Sequence, residues 1–103
     1  MKIIISVNGV PVRLTPERLM HIESRHPEMK GQEILILETT STPDLIQEGD
    51  AGTLIALKYF SKTPLLGKFC AVIYKETGHK DGFILTAYFT NKHSKERRTL
   101  WKR

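Results

Sequence analysis

His21, Arg25 and His26 fall within one short stretch of the chain, and Thr86, Tyr88 and Thr90 alternate along a late apolar segment. A histidine transfers protons near neutral pH, a guanidinium fixes an anion, and hydroxyls donate to a developing negative charge. Brought together, these groups are the parts of a metal-independent phosphodiesterase. They are equally the polar crevice of a small α+β domain without chemistry, and their spacing alone leaves both readings open.

The groups must be held by elements, and the local signals for those elements are clear. Thr15-Pro16-Glu17 announces a helix: a capping hydroxyl, a proline suited to the first helical position, and a carboxylate at the positive end of the dipole. The helix should run to Arg25 or His26, because Pro27 restrains the residue before it. On a helical wheel Leu19, Ile22 and His26 fall to one side, with His21 and Arg25, four apart, on its flank. His26 then sits at the helix C-terminus, where it and Arg25 would serve either chemistry or the orphan carbonyls of the last turn.

Before this helix, Asn8-Gly9 between Ile3–Val7 and Val10–Leu14 predicts a hairpin, with Pro11 marking its second arm as an edge strand. After it, Gln32 to Thr40 predicts a second helix. Ser41-Thr42-Pro43-Asp44 caps a further short turn, and the glycines and aspartate of 49–52 break the chain. Three strands follow, at Thr53–Phe60, Lys68–Lys75 and Gly82–Thr90, bounded by Pro64/Gly67 and by residues 78–82. In the last strand Phe83, Leu85, Ala87 and Phe89 are expected on the core face, and Ile84, Thr86, Tyr88 and Thr90 on the more polar one. The order ββ–α–α–βββ predicts an α+β domain, with helices on one face of a mainly antiparallel meander.

The chain has 103 residues and a net charge of +5, enough for one modest core. Residues 1–90 hold ten Lys/Arg and ten Asp/Glu, so the excess lies in residues 91–103. That division predicts a single domain over 1–90 and a basic extension over 91–103. Lys92, Lys95, Arg97, Arg98, Lys102 and Arg103 stand there against Glu96 alone. A concentrated basic segment attracts polyanions by counterion release, or is simply solvated. Trp101 would stack on a base or dock on its own domain.

No stretch approaches transmembrane length, the tail has no amphipathic apolar face, and the N-terminal apolar run is too short for a signal core. No membrane partner is expected. Cys70 is the single cysteine, which points to a buried core thiol and a reducing cytoplasm. The histidines at 21, 26, 79 and 93 form no metal-ligand spacing, and there is no Gly-rich phosphate loop, so no metal or cofactor is expected.

Several elements resemble small prokaryotic families of the barnase–EndoU–colicin–RelE-like nuclease superfamily, especially its phage-type branch. They are Arg13-Leu14-Thr15-Pro16-Glu17-Arg18, His21-Ile22, Arg25-His26-Pro27-Glu28, Pro43-Asp44-Leu45-Ile46, Glu48-Gly49-Asp50 and the run from Asp81 to Thr90. The resemblance implies an α+β fold in which an N-terminal hairpin and two helices pack on a curved, mainly antiparallel sheet of three to five strands. It also implies RNA cleavage without metal, by attack of the 2′-hydroxyl on the adjacent phosphate. His21 or His26 would be the general base or acid. Arg25 and Lys58 would hold the scissile phosphate, and Thr86, Tyr88 and Thr90 would line the site. A toxin or an RNA-processing factor is then expected, with RNA as partner and an acidic, antitoxin-like inhibitor as a second. The alternative is a non-catalytic module of the same fold that binds protein or nucleic acid.

Overall fold

The first hairpin owes its turn to a single glycine. Strands β1 (Lys2–Ile5) and β2 (Pro11–Leu14) pair antiparallel, with Lys2 opposite Leu14 and Ile5 opposite Pro11. Between them Gly9 takes φ +81° and donates from its N–H to the Ser6 carbonyl at 2.9 Å, while Ser6 N–H donates to the Val10 carbonyl. Asn8 is not at positive φ, so the turn places one left-handed residue rather than two. The structure, a computed structural model, describes residues 1–61 and 69–103. The break expected at Pro64/Gly67 and the start of a strand at Lys68 lie outside the described residues.

Helix α1 (Pro16–Arg25) begins as its residues dictate. Thr15 Oγ1 accepts from Arg18 N–H at 3.1 Å, and Pro16 and Glu17 occupy the first turn. It stops at His26, whose N–H still reaches the Ile22 carbonyl at 2.8 Å, before a 3-10 turn over Pro27–Met29 that buries Met29. Helix α2 (Glu33–Ser41) is followed by β3 (Leu45–Glu48), a 3-10 turn over Asp50–Gly52, β4 (Leu54–Tyr59), β5 (Phe69–Glu76), β6 (Gly82–Thr90) and β7 (Thr99–Lys102).

The expected sheet of three to five curved strands is overturned. One open, uncurled sheet of seven strands runs in the order β1-β2-β6-β5-β4-β3-β7. Every pairing is antiparallel except a short parallel step, Val12 opposite Gly82 and Arg13 opposite Phe83, which makes the sheet mixed. Three facts account for the difference. Leu45–Glu48, expected as a capped turn, is a strand, since it finds partners on both sides in β4 and β7. Thr99–Lys102, inside the basic segment, is also a strand. The N-terminal hairpin joins the same sheet, so β2 is internal in spite of Pro11, and β1 and β7 are the edges.

A close approach makes the parallel step possible. A Cβ on Gly82 would stand 2.8 Å from the Lys75 carbonyl oxygen and 3.2 Å from Val12 Cγ2. On the helix face a core forms from Val12, Leu14, Ile22, Met29, Ile36, Val72, Tyr74, Ile84 and their neighbours. The opposite face carries a smaller cluster: Leu45, Ile55, Leu57 and Ala71, with Phe69, Ile73 and Tyr88 against it.

Strand β6 departs from simple alternation. Ile73 pairs with Thr86 but Tyr74 pairs with Ile84, so Leu85 is an extra residue in a bulge. The bulge brings Ile84, Ala87 and Phe89 onto the helix face, correcting the placement expected for Ile84. Phe83 is half-buried, with the Arg13 guanidinium 5.7 Å from its ring centre. Beyond the bulge Thr86, Tyr88 and Thr90 share the opposite face, in register with Ile73, Ala71 and Phe69.

Candidate active site

Beyond Phe83 no strand of the described residues pairs with the outer edge of β6, and α1 lies along it. Ile22, fully buried, anchors α1 in the helix-face core. Arg18 Nη1 donates to the Leu85 carbonyl at 3.3 Å, satisfying an acceptor at the bulge. With Ile22 turned inward, the 3.6-residue period leaves His21 and Arg25 exposed on the flank.

His21, Arg25, His26 and Thr86 line one open cavity of about 300 Å³. The half-buried His26 ring packs on Tyr88 with 5.7 Å between ring centres and 34° between planes. Its Nδ1 lies 3.7 Å from Glu28 Oε2, an ion-pair rather than a hydrogen-bond separation. Among the described residues no carboxylate pairs with Arg25, so its planar fork is open to an anion in the cavity. Five of the seven residues expected in the site, His21, Arg25, His26, Thr86 and Tyr88, are thus brought together across α1 and β6.

The other two lie elsewhere. Thr90, one step along the same strand face, lines a second cleft shared with Tyr88. Lys58 projects to the helix face, where its Nζ donates to the Thr42 carbonyl at 2.7 Å and to Thr42 Oγ1 at 2.9 Å, with Glu38 at 3.5 Å. It closes the C-terminal end of α2 and does not reach the His26 cavity's lining.

The basic segment is woven into the sheet rather than trailing from it. Arg97 Nη1 reaches Asp50 Oδ1 at 3.1 Å and the Glu48 carbonyl at 3.2 Å. The Arg97 guanidinium, by hydrogen bond first and charge second, holds the Asp50 carboxyl below the usual carboxylate range, and Asp50 raises Arg97 in return. Arg103 pairs with Asp44 at 3.2 Å, the Arg98 carbonyl accepts from Glu48 N–H at 2.8 Å, and Lys102 lies opposite Leu45. Lys92 lines the second cleft with Arg97, whereas Lys95 is exposed on the turn. Trp101 is half-buried in β7, in register with Ile46 of β3.

Glu28, Gln47, His93 and Ser94 had no site role in the sequence reading, although Glu28 stood in one of the resembling runs and His93 was weighed as a metal ligand. Glu28 lies in the run Arg25-His26-Pro27-Glu28, and Gln47 follows the apolar pair Leu45-Ile46, but neither position marks a site by itself. Cys70 is a core thiol, as expected, and burial pushes it up to about 11 against a smaller opposing influence of the Thr39 hydroxyl. Among the described residues no group of three or more His, Cys, Asp or Glu is placed to hold a metal. No helix of the described residues is long and apolar enough to cross a membrane. Compared with known families, curated proteins and solved structures, the chain has no match, so its chemistry rests on its own geometry.

Proposed function

We propose that the chain is a metal-independent ribonuclease-like domain that holds an RNA phosphate in the cavity between α1 and β6 and cleaves the chain there. One observation carries the reading: His21, Arg25 and His26 line a single cavity with Thr86. In this scheme Arg25 binds the phosphate oxygens. His26, oriented by Glu28, takes the proton of the 2′-hydroxyl as it attacks phosphorus. His21, one and a half turns earlier on the same helix, gives a proton to the departing 5′-oxygen. The products are a 2′,3′-cyclic phosphate and a free 5′-hydroxyl, with the proton count balanced between the two histidines. Thr86 adds a hydroxyl donor to the phosphorane.

The resemblance to the barnase–EndoU–colicin–RelE-like nucleases points to the same chemistry, to a toxin or RNA-processing role, and to an acidic inhibitor as partner. The buried single thiol suits a reducing cytoplasm. One observation favours a second reading, a non-catalytic module: Lys58, the expected second cation, is engaged at the end of α2, so Arg25 holds the phosphate without it.

The test is incubation of labelled single-stranded RNA in EDTA, with analysis of the ends formed. The nuclease reading expects 2′,3′-cyclic ends and no cleavage where the attacking 2′-hydroxyl is replaced by hydrogen. Binding without cleavage would favour the module.

A further inference from the structure

A second cleft, of about 290 Å³, opens on the sheet face that carries no helix. Its floor follows from strand register. Leu57 lies opposite Ala71, and Ala71 opposite Tyr88, so the three side chains form a row across β4, β5 and β6. Neighbouring strands are about 4.8 Å apart, which puts Leu57 and Tyr88 roughly 10 Å apart at their backbones. Ile55, Leu57 and Tyr88 line a slot with an apolar floor and one aromatic wall, and Ala71 lies fully buried beneath it.

The chain then closes the slot with its own tail. Residues 91–98 must pass from the end of β6 to β7 at the far edge of the sheet. Gln47, 2% exposed and on the same face as Ile55 and Leu57, fixes that path. Its Nε2 donates to the Ser94 carbonyl at 2.7 Å, and its Oε1 accepts from Ser94 N–H at 3.3 Å. Ser94 Oγ in turn accepts from the N–H groups of Glu96 and Arg97. His93 is thereby set at the rim, its Nδ1 3.1 Å from the Ser94 carbonyl.

Tyr88 belongs to both clefts: it walls this slot and packs on His26 of the first cavity. We infer that the second cleft is a nucleobase subsite, which takes the flat heterocycle of the nucleotide whose phosphate lies at Arg25 and His26. The base stacks on Tyr88 beside Leu57 and Ile55 and presents its polar edge to Thr90 and His93. Lys92 at the mouth faces the next phosphate. The inference rests on the phosphodiester reading of the first cavity, and it adds what that cavity does not supply, a reason for the enzyme to prefer a nucleotide over a bare phosphate.

The experiment is NMR titration of the full chain with adenosine 3′-monophosphate, uridine 3′-monophosphate, ribose 5-phosphate and free uridine. Either nucleotide should shift the Gln47 side-chain amide and Ser94 together with Arg25 and His26. It should bind at least about fivefold more tightly than ribose 5-phosphate, the low end of a single base stack. His93→Ala should weaken the nucleotide more than ribose 5-phosphate. Thr90→Ala should do the same while the rest of the spectrum stays native. Nucleotide and sugar phosphate shifting the same residues around Arg25, with equal affinity, would overturn the subsite and leave the phosphate reading standing. Uridine shifting Ser94 while no phosphate shifts Arg25 would overturn the phosphate reading, and with it the coupling of the two clefts. No shift in either cleft would overturn both.

Discussion

The Tyr88 ring lies against the His26 imidazole, 5.7 Å centre to centre, and so joins the last turn of α1 to the helix-free face of the sheet. One residue of β6 thereby positions a histidine in the first cavity and walls the second. An aromatic contact of this kind is worth about 0.5–1.5 kcal/mol beyond its buried area.

Tyr88→Ala should weaken single-stranded RNA binding at least about fivefold through loss of the base stack, whereas Tyr88→Phe, which keeps the ring, should bind close to wild type. Fluorescence anisotropy with labelled RNA reads both. Equal losses in the two variants would assign the effect to the hydroxyl and not to the packing.

Much of α1 was legible because its ends are chemical: Thr15-Pro16 opens it and Pro27 closes it, and the period of Leu19 and Ile22 turns His21 and Arg25 outward. The strands were less so. Leu45–Glu48 and Thr99–Lys102 are strands because each completes the other's ladder, a partnership that no local window contains. The bulge at Leu85 swapped the face of Ile84 for the same reason, since only the pairing with Ile73 and Tyr74 creates it. Lys58 shows the consequence for the site. It was assigned beside the histidines without a register, and its register opposite Cys70 turns it to the helix face instead.

Gly82 is where β2, β5 and β6 crowd together, and a methyl group there meets the Lys75 backbone first and Val12 Cγ2 next. Gly82→Ala should destabilise the fold by about 1–3 kcal/mol, read as a lower urea midpoint with an unchanged slope. An unchanged midpoint would mean that the parallel step is looser than described.

The buried thiol makes stability sensitive to alkali. Cys70 keeps its proton in the folded chain up to about 11, against an ordinary 9.0, because burial disfavours the thiolate. Its contribution is therefore whole below pH 9.0 and is lost as pH rises toward 11. Burial, with a smaller push from Glu76, raises Tyr74 in the same direction. Cys70→Ala should flatten the fall in thermal stability over that interval, and the native thiol should resist a disulfide reagent at pH 8. Rapid stoichiometric labelling at that pH would contradict the burial of Cys70.

At acid pH the latch between the tail and the Asp50 turn should fail first. Asp50 is held low by Arg97, so the pair's contribution is present above the ordinary carboxylate value of about 3.9 and is lost as pH falls through the lower folded value. The pair is exposed, so the effect is small and shrinks with salt. The difference in Tm between wild type and Asp50→Asn should close as the pH drops below about 3.9. A difference that persists in acid would show that Asp50 acts otherwise than through its charge.

The central claim is that one cavity between α1 and β6 performs the chemistry. It is tested most directly by the rate of RNA cleavage in EDTA for wild type, His21→Ala, Arg25→Ala and His26→Ala, each checked for native folding. Loss of a proton-transfer group removes about a hundredfold or more in rate, so at least one histidine variant should fall by that much while still forming 2′,3′-cyclic ends. Rates unchanged in all three variants, or no cleavage by the wild type, would contradict it.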